Sequence, residues 1–354
     1  AVAPRHNCSN LTHMGEFEMM KKTTSALAIA ALLGTGAASA ATFQVDDNTS
    51  VTIGGDFQFA YTDIDNSSGE SETSFGDNGS SLVFAGEHTH DNGITTSFYF
   101  DLDGFGTTGT TDVDTEGGPD QSANFVNDEY HVAFSGNFGQ IKIGNEGDVT
   151  GPIFDVTDIA ETKGLTLPTG GASTEVLQYI SNDMNGISFA VQTQLKGDKQ
   201  EAAVAGDSNV DSEGSSTSFA GMVMADLDAF SVGAGYAERA NAQDEPTYGL
   251  MVSTAVAGID VSANYVVQDD KDNQDQDGFG LAADYNYGAG SLYGALQVFS
   301  IDNLPANQQD DFTQYLVGVN YNVTSNAYVY GEVSSQDRDT DENDTMAVGL
   351  VYSW

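Results

Sequence analysis

The chain has 354 residues, with 10 Lys and Arg against 53 Asp and Glu, a formal net charge of −43. That acidity excludes nucleic acid as a partner, because phosphate binding needs a basic footprint; 10% aromatics, 40 glycines and 6 prolines exclude a disordered acidic tail or a low-complexity linker. No run approaches the ~20 apolar residues of a membrane-spanning helix, which leaves a β-barrel as the only way for such a chain to cross a bilayer.

In chain order, residues 1–19 precede Met20 and read as an upstream extension or a tag. Residues 20–40 have the three parts of a secretory signal peptide. Met20-Lys21-Lys22 is basic, Ala26–Leu33 is apolar, and Ala38-Ser39-Ala40 supplies the small residues that set cleavage after Ala40. Residues 41–354 then form one exported domain with 7 basic and 51 acidic side chains, net −44. Cys8, the only cysteine, lies upstream of the cut, so this domain forms no disulfide and relies on hydrogen bonds and packing.

From Ala41 onward apolar residues recur at every second position over runs of roughly ten, and no segment keeps a 3.6-residue period. In Val51–Thr62, Val51, Ile53, Phe57, Phe59 and Tyr61 share one side while Thr52, Asp56 and Gln58 share the other. In Ile259–Gln268, Ile259, Val261, Ala263, Tyr265 and Val267 oppose Asp260, Ser262, Asn264 and Gln268. Gln314–Asn322 alternates likewise, and the last run places Met346, Val348, Leu350, Tyr352 and Trp354 on one face. Short turns such as Asp91-Asn92-Gly93 and Val256-Ala257-Gly258 alternate with long polar loops near 63–79, 104–127, 146–174, 196–216, 239–245, 269–277, 301–311 and 335–344. Seven short and eight long connections give sixteen strands. An even strand number with short turns on one rim and long loops on the other is the pattern of an all-β, antiparallel transmembrane barrel. A soluble sandwich would turn its apolar faces inward and leaves the alternating loop lengths unexplained.

At this point several segments resemble the Gram-negative general diffusion porins. Val132–Gly136 followed by Asn137-Phe138-Gly139-Gln140-Ile141-Lys142-Ile143-Gly144 is similar to one hairpin of that family, and Ser81–Glu87 with Phe98-Tyr99-Phe100-Asp101 to its second and third strands. Gly349–Trp354 resembles the terminal signal read by the barrel-assembly machinery, with Tyr352 and Trp354 as its aromatics and Trp354 where the family usually ends in Phe. The resemblance implies a sixteen-stranded barrel, a homotrimer in outer-membrane lipid and lipopolysaccharide, and a third long loop folded inward to narrow a pore.

Residues 146–174 fit that loop by position and length, with Asp148, Asp155, Asp158 and Glu161 as constriction carboxylates and Lys163 as their one base. Lumen-facing candidates by alternation are Asp56, Tyr99, Asp101, Asp103, Asp260, Asn264 and Gln268. The family sets arginines and lysines on early strands opposite the acidic loop, whereas the matching positions here read Asp56, Ser81, Ala85, Asp128 and Asn145. A mostly negative lining is therefore expected, and rings of carboxylates concentrate cations. The eight long loops hold 34 of the 51 carboxylates, which also fits adaptation to salty surroundings, where exposed charges are screened.

The expected function is a passive, water-filled channel for small hydrophilic solutes and ions, cation-preferring, with no cofactor and no catalytic residue. The alternatives are a substrate-selective porin or an adhesin working through acidic loops. Asn273–Gly278 matches a Ca²⁺ loop only in part, since helical flanks and the closing Glu are missing. His88 and His90 share a strand face beside a short turn and read as solvated imidazoles. No G-x-S-x-G, Gly-rich phosphate loop or zinc spacing is present.

Overall fold

The computed structural model describes residues 40–65, 71–103, 126–162, 165, 175–194, 217–239, 242–269, 275–302, 309–337 and 344–354. The expected extension 1–19, the signal peptide apart from Ala40, and Lys163 lie outside them. The strands are β1 (Ala41–Asp46), β2 (Thr49–Asp65), β3 (Ser71–Asp77), β4 (Ser81–Thr89), β5 (Thr95–Asp103), β6 (Val126–Gly136), β7 (Gly139–Asn145), β8 (Val176–Ile180) and β9 (Ile187–Gln194). They continue as β10 (Ser218–Asp226), β11 (Ser231–Arg239), β12 (Ala242–Val256), β13 (Ile259–Gln268), β14 (Gln276–Asn286), β15 (Ser291–Ile301), β16 (Asp311–Thr324), β17 (Ala327–Asp337) and β18 (Asp344–Ser353). A single helical turn, α1 (Gly151–Phe154), lies between β7 and β8.

Each strand from β4 to β18 pairs antiparallel with the next, and the ring closes where β18 pairs with β2. Two ring positions are shared. β3 and β4 lie end to end along one edge of β2, opposite Phe59–Asp65 and Thr49–Asp56 respectively. β18 and β1 lie end to end along the other edge, with Asp56–Asp65 facing β18 and Thr49–Ile53 facing β1. Trp354 sits at that junction, its backbone N–H donating to Gly55 O (3.0 Å) and its carbonyl accepting from Gly55 N (3.2 Å). Eighteen strand segments therefore fill sixteen positions of a closed antiparallel barrel, so no edge is left where hydrocarbon could not satisfy it.

Two loops differ from expectation. β2 and β3 pair as far as Asp65 and Ser71, which shrinks the loop near 63–79 to 66–70; β11 and β12 pair as far as Arg239 and Ala242, which shrinks 239–245 to 240–241. Polar composition marked these segments as loop, but a strand projecting beyond the apolar belt is polar on both faces and loses the alternation signal. Two of the short turns use left-handed backbone: Asn185-Gly186 and Ala257-Gly258 each have two successive positive φ angles, the geometry that matches strand twist.

The faces separate cleanly. On β18, Met346, Val348, Leu350 and Tyr352 are 42–55% exposed, while Ala347 and Val351 between them are at most 3% exposed. The same alternation exposes Phe57, Phe59 and Tyr61 on β2 and Tyr315, Val317 and Val319 on β16, giving an apolar belt on the outside of the ring. The buried apolar contacts lie inside it, where Ile153 and Phe154 meet Ala190, Ala220, Ala237 and Val266, and where Val156, Ala160 and Leu165 meet Ala282, Ala295 and Leu316.

Candidate functional site

Residues 146–162 leave the end of β7 and run along the inner wall as far as β17. Glu146, their first residue, accepts from Lys142 Nζ (2.9 Å) and contacts His131 Nδ1. Burial alone would raise its carboxyl pKa, but the His131 bond and the Lys142 charge outweigh burial and hold it below the ordinary value. Gln178 Nε2 on β8 donates to Gly147 O (2.7 Å), and Gln192 Oε1 on β9 accepts from Val149 N (3.2 Å). α1 follows, with a proline in its first turn.

Glycines on the inner wall make the seat for α1. A Cβ at Gly233 would stand 2.2 Å from Ile153 Cδ1, one at Gly249 2.5 Å from the Phe154 ring, and one at Gly235 3.2 Å from that ring. A side chain at Gly249 would drive into the Phe154 ring, one at Gly233 would push Ile153 Cδ1 aside, and one at Gly235 would crowd the ring; burying Ile153 and Phe154 stabilises by on the order of 2 kcal/mol each. Asn264 Nδ2 on β13 donates to Ile153 O (3.0 Å) and Phe154 O (2.8 Å), satisfying carbonyls that so short a helix leaves open. Gln297 Nε2 on β15 then donates to Thr157 Oγ1.

The far end is pinned on β17. Glu332 accepts from Glu161 N (2.6 Å) and Thr162 N (3.0 Å), and Tyr293 OH donates to the same carboxylate (2.8 Å). Tyr328 OH donates to Glu161 Oε2 (2.9 Å), and Asn78, in the break between β3 and β4, donates to Glu161 O (2.7 Å). The chain is thus held at both ends and along its middle by wall side chains facing the interior.

Of the acidic side chains expected on this loop, Asp148, Asp155 and Asp158 are partly exposed and Glu161 is buried, tied to Tyr328. Burial pushes the Asp148 carboxyl up to about 6 and Asp158 up to about 7; burial with repulsion from Asp158 and Asp148 pushes Asp155 up to about 8. The three therefore ionise across the neutral range, last at Asp155.

The strand residues divide. Asp56 accepts from Ser81 N (3.1 Å) and Gln58 Nε2 (3.2 Å). Tyr99 OH donates to Asp101 Oδ2 (3.1 Å), and its ring stacks on His131 at 5.6 Å. Asp103 ends β5 opposite Ser81, and Asp260 lies opposite Asp284 on β14; both are half-buried. Asn264 and Gln268 share the inward face of β13, but both are buried, Asn264 beneath α1. Alternation tells which face a residue takes, not what covers that face. Tyr352 points outward in the apolar belt, and Trp354 closes the ring. Glu332 and the seat glycines escaped the sequence reading; the one available signal was the run of Gly and Ala at inward positions of β9–β15.

The charge balance follows. Lys142 is the one lysine or arginine whose side chain lies among the described residues, and Glu146 occupies it. Of the positions where the resemblance implied bases, Ala85 is fully buried and Asn145 is also buried, and the Asp128 side chain lies outside the described residues.

A profile of the Gram-negative porin family matches residues 23–341. A monosaccharide porin from a Halomonas species and the major outer membrane protein of Halomonas elongata are each 30% identical, over 94% of this chain and 100% of theirs. Among solved structures, an anion-selective porin from Comamonas acidovorans superposes with a TM-score of 0.64 at 16% identity, covering 86% of this chain and 100% of that one. OmpF of Salmonella typhi, in complex with daunomycin, gives 0.65 at 16%, covering 89% and 100%. At such identities the likeness concerns the fold.

Proposed function

Since the chain belongs to the Gram-negative porin family and forms a passive channel of the outer membrane, we propose that its conduction favours cations and that residues 146–162 form the selective constriction. The observation that carries this reading is the predominance of carboxylates among the described residues inside the ring. Asp148, Asp155 and Asp158 stand on a loop fastened along the inner wall, and the described wall offers no base besides Lys142, already bound to Glu146. Carboxylates in a narrow, low-dielectric site raise the local cation concentration and repel anions. Lys163 belongs to the same loop in this reading. A homotrimer is its assembled form, with the barrel-assembly machinery reading Tyr352 and Trp354 and with lipid and lipopolysaccharide around the apolar belt.

The test is the zero-current potential of single channels in a KCl gradient at pH 8 and low ionic strength. Cation preference gives the sign set by K⁺; a zero or chloride-signed potential contradicts it.

A second reading has its own support, because a relative at 30% identity is called a monosaccharide porin. In that reading the lumen passes small neutral sugars in preference to other solutes of equal size. Swelling of proteoliposomes in glucose compared with a size-matched polyol decides it. Equal rates leave only size exclusion.

A further inference from the structure

Conduction leaves one side-chain pair unused. His88 and His90 stand two residues apart at the short-turn end of β4, so both rings lie on one face, alternating with the buried inward residue Ala85. Thr49 Oγ1 on β2 is 2.8 Å from His88 Nδ1, and Thr96 Oγ1 on β5 is 3.0 Å from His90 Nε2. The two rings meet edge to face with centroids 4.5 Å apart and an interplanar angle of 78°. His90 is exposed and His88 half-buried, as expected of solvated imidazoles, but the two rings also touch each other. Each has one nitrogen engaged by a threonine hydroxyl, which leaves Nε2 of His88 and Nδ1 of His90 open.

We propose that His88 and His90 form a two-imidazole site for a borderline divalent transition-metal ion, Cu²⁺ foremost, on the outer side of the short-turn rim. An outer hydrogen bond on the second ring nitrogen is the usual support of a metal-bound imidazole, because it fixes tautomer and orientation. Ring centres 4.5 Å apart would subtend about 90° at an ion held ~2.0 Å from both open nitrogens once they turn toward it. That angle is nearer the cis angle of tetragonal copper than the ~109° of tetrahedral zinc.

The remaining positions take water. An open hollow of about 290 Å³ lined by His90, Asn92, Ile94, Thr96 and Phe134 adjoins the pair, and a water occupies ~30 Å³ of liquid volume. Asp46, aligned with His88 through Thr49, adds a negative charge nearby.

Titration of Cu²⁺ into the folded full chain in detergent at pH 7.5, read by electron paramagnetic resonance, tests this. The wild type should show coupling to two equatorial nitrogens. His88→Gln and His90→Gln should each reduce this to one and weaken binding at least ten-fold, with single-channel conductance unchanged as the check on folding. Acidic loops give oxygen-only spectra, and His6 and His13 are replaced by Gln in every protein compared, so they add no nitrogen signal. A two-nitrogen spectrum that survives in the double variant, or a wild type without nitrogen coupling, overturns the site.

Discussion

Glu332 shows how one side chain sets the position of a loop that begins ten strands away. Its carboxylate takes two backbone N–H groups and a tyrosine hydroxyl in a place 5% exposed. Hydrogen bonds to charged groups contribute ~1.5–3 kcal/mol each, so Glu332→Ala should weaken the seating of residues 161 and 162 by on the order of 3 kcal/mol. The expected readout is a larger, noisier single-channel current with the barrel still folded; an unchanged current means the latch is idle. The acidic side chains carry a separate expectation. Carboxyls held at about 6, 7 and 8 against ~3.9 for unfolded Asp bind more protons when folded. Their contribution to stability therefore falls as pH rises from about 4 towards 8, while the charge in the lumen grows. Cation preference should rise steadily between pH 5 and 9, and Asp155→Asn should remove the upper part of that rise. None of this was legible residue by residue. Asp155 and Glu161 look alike in sequence, yet one is crowded by two carboxyls and the other is bonded to Tyr328.

At the scale of elements, the strands were readable because a half-buried strand has to alternate, and Ile259–Gln268 was found with both bounds correct. The bounds failed where alternation ends, at Asp65 and Arg239, and β1 escaped as a separate segment because its six residues are all exposed. The path of residues 146–162 was not readable beyond its starting point, because it depends on glycines spaced across β11 and β12. That dependence is testable. In Gly249→Ala the new methyl meets the Phe154 ring, an overpacking of ~1–3 kcal/mol that should lift α1 and admit larger neutral sugars in swelling assays. Gly331→Ala, whose Cβ would approach nothing nearer than 3.9 Å, should leave permeation alone. If both behave alike, the glycine seat does not position the loop.

For the whole molecule, closure and selectivity are independent properties. A porin described as anion-selective has a similar barrel at a TM-score of 0.64, so the fold by itself does not set which ion a channel prefers. Salt screens exposed charge within ~3 Å at 1 M, and charge on the half-buried carboxyls of residues 146–162 is screened less. The decisive measurement is the zero-current potential in a tenfold KCl gradient at pH 8, taken for the wild type and for the triple variant Asp148→Asn, Asp155→Asn, Asp158→Asn. The loop as selective element requires a cation-signed wild-type potential that collapses towards zero in the variant. A potential that is the same in both proteins, or chloride-signed in the wild type, contradicts it.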